Sequence, residues 1–137
     1  MANVEPGRAR TAQQRSGDAA EQLVADRLRV QGWTILARNV HVGRSELDIV
    51  AVDPGPPSRL VVVEVRFRRS RQFGLAEETF DARKQAKLRR GIGRLIGAGR
   101  LPDGAALPAL PIALDFAVVE PGTNGAIVHL YRNALES

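Results

Sequence analysis

Residues 60–68 read LVVVEVRFR, a run dense enough in β-branched residues for a buried strand, with a glutamate at its centre. Side chains of a strand alternate, so Val61, Val63, Val65 and Phe67 share one face, and Leu60, Val62, Glu64, Arg66 and Arg68 the other. The polar end of that second face begins at Glu64. Upstream, ELDIVAV (46–52) reads as another strand, joined to the first by the turn-rich DPGPPSR (53–59). There alternation groups Glu46, Asp48, Val50 and Val52 against Leu47, Ile49 and Ala51. If the hairpin is symmetric about Pro56, Asp48 and Glu64 face each other across the ladder. Like charges so placed destabilise by up to roughly 1 kcal/mol at a surface, and by more when desolvated. Three arrangements answer this: Arg66 balances the pair, a divalent cation such as Mg²⁺ binds between them, or the turn is asymmetric and Glu64 pairs with a neighbouring arginine.

The bulk composition bounds the rest. A chain of 137 residues, 44% hydrophobic, holds one domain with a real core. With no cysteine, disulfide scaffolds and thiolate metal sites are excluded. No apolar stretch suits a signal peptide or a bilayer span, so a cytoplasmic protein that engages no membrane is expected. The net charge is +5, and eleven of the twenty basic residues lie between Arg66 and Arg100, against Glu77, Glu78 and Asp81. Such a balance suits a polyanionic partner. Lys84 and Lys87 are the chain's two lysines; every other basic residue is arginine.

Residues 1–16 lack apolar periodicity and are expected to be a flexible N-terminal arm, with a single domain over 17–137. From Asp18 to Gln31, Ala20, Val24, Ala25 and Leu28 recur at helical spacing, and Gly32 supplies a stop. WTILAR (33–38) is the first strand. A second helix over 81–98 puts Leu88, Ile92, Leu95 and Ile96 on its apolar side, and IALDFAVV (112–119) and AIVHLYR (126–132) are the last strands. The order αβββαββ predicts an α/β fold: an antiparallel meander, then a parallel crossover, in a mixed five-stranded sheet with a helix on each face. The last strand leaves an edge on which a homodimer would form.

Further polar residues stand out. Glu21 lies within the apolar stripe of the first helix and points toward the sheet, although Asp18-x-x-Glu21 also has the spacing of a capping box. Arg83, Lys87, Arg90 and Arg94 form a stripe on the second helix with no acid at i+4. With Lys84 and the upstream Arg68, Arg69 and Arg71 they are candidate phosphate contacts. Asp115, alternating with Ala113, Ala117 and Val119, is expected to be buried and hydrogen-bonded rather than metal-bound. His41 and His129 have no ligand spacing around them.

Together the stretches GDAAEQLVADRLRVQGWTILARN, SELDIVAVD, LVVVEVRFRRSRQFG, RKQAKL and ALDFAVV, in this order over about 17–132, resemble the YraN family, bacterial proteins grouped with the restriction-endonuclease-like PD-(D/E)xK nucleases. The resemblance implies a restriction-endonuclease-like fold and Asp48 and Glu64 as ligands of Mg²⁺ or Mn²⁺. It further implies the Val65 carbonyl as an additional ligand, Glu21 as an accessory acid and Gln85 facing the same site. The activity implied is metal-dependent endonuclease cleavage of DNA phosphodiester bonds in DNA processing, repair or recombination. Two positions depart from the pattern: Arg66 replaces the lysine of Glu-x-Lys, and Ser45 stands where a glycine usually precedes Glu-x-Asp. Arginine does not act as a base in proteins, but it can clamp a phosphate. The alternatives are a non-catalytic DNA-binding or scaffold protein on a nuclease fold, and an interaction module whose basic helix meets an acidic protein partner.

Overall fold

The computed structural model of this chain describes residues 12–68 and 82–132, with side chains from residue 17 on, and follows the expected order. The elements are α1 (Ala12–Val30), β1 (Thr34–Val42), β2 (Ser45–Asp53), β3 (Arg59–Phe67), α2 (Ala82–Ala98), β4 (Ile112–Gly122) and β5 (Gly125–Tyr131). They build one sheet in the order β1-β2-β3-β4-β5, antiparallel except where β3 runs parallel to β4 across the α2 crossover.

α1 begins six residues before the Asp18 at which the apolar stripe starts. Of the arm expected over 1–16, residues 12–16 therefore belong to this helix, and the remainder lies outside the described residues. Its end follows the sequence signal. Gly32, at a φ of 93°, takes the left-handed conformation open to glycine. The N–H groups of Gly32 and Trp33 bond back to the carbonyls of Arg29 and Leu28, closing the helix as a Schellman motif.

β2 and β3 pair in the register Ile49↔Val63 to Asp53↔Arg59, which is symmetric about Pro56 as the turn composition suggests. This strand pair is buried on both faces. Ala20, Val24, Ala25 and Leu28 of α1 pack with Ile49, Ala51, Val61, Val63 and Val65. On the other face, Leu88, Ile92 and Leu95 of α2 pack with Leu47, Val50, Leu60 and Val62. Ile96, expected on the apolar side of α2, is 47% exposed instead, lining an open cleft with Leu60, Leu107 and Ile112. Phe67, expected with Val61, Val63 and Val65, is exposed at the end of its strand. Asp115 is fully buried on the α1 face, as expected, in an ion pair with Arg132.

α2 approaches β2 closely at Gly91. A Cβ there would lie 2.7 Å from Ser45 Cβ and 2.9 Å from its Oγ, the hydroxyl that donates to the Lys87 carbonyl. Gly91→Ala is therefore expected to destabilise by about 1–3 kcal/mol through overpacking. Paired with Ser45→Gly, it should lose ~1–2 kcal/mol less than the two single changes combined. Denaturant titration of the four proteins checks this; strict additivity would show that the two side chains do not compete for one space.

Candidate functional site

At the level of Asp48 the β1–β2 ladder is interrupted. Arg38 pairs with Ile49 and Val40 with Leu47, but Asn39 and Asp48 between them are unpaired. Asn39 sits in the left-handed region at a φ of 53°. Alternation changes phase at this point in both strands: Ile49 and Ala51 face α1, whereas Leu47 joins Val50, and Val40, in the layer under α2. The expected grouping of Leu47 with Ile49 and Ala51 is thus corrected. Asp48 consequently belongs wholly to neither face and borders the clefts on both sides of the sheet.

The β2–β3 pairing also ends one residue short of Asp48 and Glu64. In place of a ladder bond, the Val65 N–H donates to Asp48 Oδ2 at 2.8 Å. This draws the Asp48 carboxyl against that of Glu64, within hydrogen-bonding contact. The hairpin is therefore symmetric and the two acids meet. Burial and then the charge of Glu64 push the Asp48 carboxyl up from its ordinary value to about 7. Burial likewise raises Glu64, with Arg66 opposing the shift. Arg66 Nη1 donates to Glu64 Oε1 at 2.6 Å and to the Val65 carbonyl at 3.2 Å. Glu64 Oε2 is buried and, among the described residues, receives no N–H or hydroxyl bond, which leaves the Asp48 carboxyl or a cation to satisfy it.

Two clefts meet at Asp48. That under α2, about 290 Å³, is lined by Glu46, Asp48, Glu64, Arg66, Lys84 and Lys87, with Ser45 and Leu88 behind them. The one beside α1, about 260 Å³, is lined by Asp18, Glu21, Asn39, Glu46, Asp48 and Arg66, with Gly17 and Val65. Lys84 and Lys87 line only the α2 cleft and Asp18 and Glu21 only the α1 cleft, while Glu46, Asp48 and Arg66 border both.

Glu21 is buried and points toward the sheet, where Arg38 Nε donates to its Oε1 at 3.0 Å. Burial raises its pKa against that bond, and the charge of Asp48 adds to the rise. The capping-box reading fails because α1 starts at Ala12, which places Asp18 inside the helix. Gln85 is half-buried on α2 and is not among the described residues lining either cleft. Arg83, Arg90 and Arg94 are exposed along α2 outside the clefts, and Arg94 lies against Gly43 in the β1–β2 turn. Arg68 follows β3, its backbone N–H bonded to the Val119 carbonyl at 2.8 Å. Arg69 and Arg71 lie outside the described residues. Sequence reasoning gave no role to Glu46 and Asn39, which border the site. Glu46 was legible in its shared alternation with Asp48, whereas nothing in the apolar pattern marks Asn39.

Among the described residues no group of three or more His, Cys, Asp or Glu is gathered so as to hold a metal ion, and the site brings together the two carboxyl groups of Asp48 and Glu64. Two carboxyl groups, one with a buried oxygen lacking a donor, fit a hard divalent ion that keeps several of its waters. Among the same residues no helix is long and apolar enough to cross a membrane.

Comparison with known sequences matches residues 20–119 to the uncharacterised protein family UPF0102. A UPF0102 protein of Symbiobacterium thermophilum is 38% identical over 124 residues, which span 90% of this chain and 98% of that protein. One from Carboxydothermus hydrogenoformans is 35% identical over 120 residues, 88% of this chain and 94% of its own length. Another, from Bifidobacterium longum, is 38% identical over 120 residues, 86% and 90% of the two chains.

Proposed function

Because the chain belongs to the uncharacterised protein family UPF0102, we propose from its own geometry that it is a metal-dependent endonuclease acting on DNA phosphodiester bonds, built on a restriction-endonuclease-like fold. The observation that carries this reading is the Asp48–Glu64 carboxyl pair, with its donor-less Oε2, opening onto a cleft walled by Arg66, Lys84 and Lys87.

Asp48 and Glu64 would hold Mg²⁺ or Mn²⁺. When bound, such an ion supplies Lewis-acid polarisation of the phosphate and acidifies water for attack on phosphorus. The Val65 N–H fixes the orientation of Asp48, and Arg66 that of Glu64. The Val65 carbonyl, which accepts from Arg66, would offer its other lone pair as a further ligand. Arg66 would serve as a donor to phosphate oxygens rather than as a base. Lys84 and Lys87 line the same cleft and orient the anionic strand. Glu21, which lines the α1 cleft with Asp48 and is held by Arg38, would order water there. DNA enters along the basic wall formed by α2. The protein acts in the cytoplasm on nucleic acid, in DNA processing, repair or recombination.

A second reading, DNA binding without cleavage, draws on the Arg66 contact: a guanidinium 2.6 Å from Glu64 Oε1 already occupies one carboxylate oxygen. The two separate in one experiment. Single-stranded, duplex and branched DNA are incubated with the protein in Mg²⁺, in Mn²⁺ and in chelator. Cleavage that requires the metal is expected, together with binding whose dependence on log salt falls by about 2 in slope when Lys84 and Lys87 are both changed to alanine. Salt-sensitive binding with no cleavage in either metal would decide for the second reading. Absence of binding even at low salt would reject both.

A further inference from the structure

We propose that Asn39 is a positioning residue for Asp48: its left-handed backbone, and not its amide group, breaks the β1–β2 ladder at that level and swings the Asp48 carboxyl out of the sheet face toward Glu64 and the Val65 N–H.

Four observations converge on it. Asn39 is the non-glycine residue with positive φ among those described, and asparagine tolerates that conformation better than other side chains. The residues on either side of it remain in register, Arg38 with Ile49 and Val40 with Leu47, so this break involves only Asn39 and Asp48 and is separate from the register shift of β1 between Ile35 and Ala37. Facing changes phase in both strands at this one level. Arg38 and Ile49 lie on the α1 side, where Arg38 meets Glu21, while Val40 and Leu47 both lie under α2. Asp48, the residue opposite, is the one whose carboxyl reaches across to β3 and accepts from Val65.

A strand in regular alternation cannot do this. With Ile49 fixed in the α1 layer, unbroken β2 would turn Asp48 squarely under α2 and Leu47 into the α1 layer. It would also continue to pair through backbone bonds with β1. The change of phase keeps Leu47 and Ile49 each in a core and rotates the acid between them into the gap beside β3. The left-handed residue supplies that rotation in β1, and the paired strand follows it. Local strain of this kind, of order 1 kcal/mol, persists where the surroundings fix it and gathers at functional sites.

The test compares Asn39→Gly, Asn39→Ala and Asn39→Val by two readouts. The first is hydrogen exchange and chemical shift of the Val65 amide, with Asp48→Ala as the reference for a lost acceptor. This readout is independent of metal and of the nuclease reading. The second is Mn²⁺ affinity by calorimetry, which rests on that reading. Glycine, at home at positive φ, should keep the Val65 amide protected and Mn²⁺ binding within about 3-fold of wild type. Alanine should weaken both, and valine should lower Mn²⁺ affinity at least ~10-fold and bring the Val65 amide to the Asp48→Ala value. If valine does not fold, the glycine–alanine comparison decides. Asn39→Val with wild-type Val65 protection overturns the proposal, as does Asn39→Gly losing as much as Asn39→Val, which would give the role to the amide side chain. A wild-type protein that binds no Mn²⁺ sinks the metal site, while the Val65 amide still decides the role of Asn39.

Discussion

Asp48→Asn is expected to abolish divalent-cation binding and reduce DNA cleavage by at least ~10²-fold while making the metal-free protein more stable at pH 8. The two effects share one cause. Wild-type Asp48 has its carboxyl raised from 3.8 to about 7, first by burial and then by the charge of Glu64. A carboxyl whose pKa is higher in the folded state contributes stability that is fully present below about pH 4 and is lost as pH climbs to about 7. Glu64, also raised by burial, acts in the same direction. A shift of this size corresponds to about 4 kcal/mol at most, and water reaching the half-buried Asp48 brings the expected effect down to ~1–3 kcal/mol.

Asparagine keeps an oxygen for the Val65 N–H and carries no charge, so the variant should lose most of the fall in stability between pH 4 and 7. In the wild type at pH 8, Mn²⁺ should restore what ionisation removes, because a ligand of the native state alone adds stability by mass action. Melting at pH 5 and pH 8, with and without Mn²⁺, checks all of this. A variant that melts with the wild-type pH profile, or that Mn²⁺ still stabilises, would remove Asp48 from the cation site.

The second large effect is structural. Arg132→Met should destabilise by about 1–3 kcal/mol, less than the loss of a fully buried partner, because Asp115 is buried but the Arg132 side chain is itself 36% exposed. Arg132 Nε stands 2.6 Å from Asp115 Oδ2, on a residue with no exposed surface, and Arg132 Nη2 donates to Asp53 Oδ2 at 2.7 Å. The guanidinium also lies 5.3 Å from the Trp33 ring centre. Adding Asp115→Asn in the same chain should recover part of the loss, since the charge that Arg132 faced is then gone. Asp53 gives a further signature. Although burial opposes it, the Gly55 N–H and Arg132 hold its carboxyl below the ordinary value. Its contribution is therefore present above about pH 4 and lost in acid. Without Arg132, part of that acid sensitivity should vanish. Chemical denaturation at pH 3 and pH 7 measures both, and a loss under ~1 kcal/mol at pH 7 would mean that Asp115 is compensated by other groups.

Much of this arrangement could be read from the sequence because it depends on periodicity and turn chemistry. Proline and glycine at 54–57 centre the hairpin, Val61, Val63, Leu60 and Val62 declare a strand covered on both sides, and those facts alone bring residues 48 and 64 together. The helix between β3 and β4 declares the parallel crossover. The shift of phase at Asn39 was hidden for a physical reason. Leu47 and Ile49 are both large and apolar, and each is fully buried, but in different layers. A hydrophobic pattern records that a residue is buried and not which side buries it. Arg132 was hidden for another: its partners at Trp33, Asp53 and Asp115 are remote in sequence, and no local spacing relates them. The start of α1 was missed because residues 12–17, AQQRSG, offer no apolar stripe from which to infer a helix.

The split burial of Leu47 and Ile49 also determines how the protein should respond to random substitution. The two hydrophobic layers are separated by the sheet, and each anchors one flank of the same aspartate. Damage beneath either helix, well removed from the carboxyl groups, is transmitted to a single acidic side chain. Inactivating changes recovered by an unbiased screen should therefore fall in both layers, concentrated around the two anchors rather than on whichever side the substrate lies.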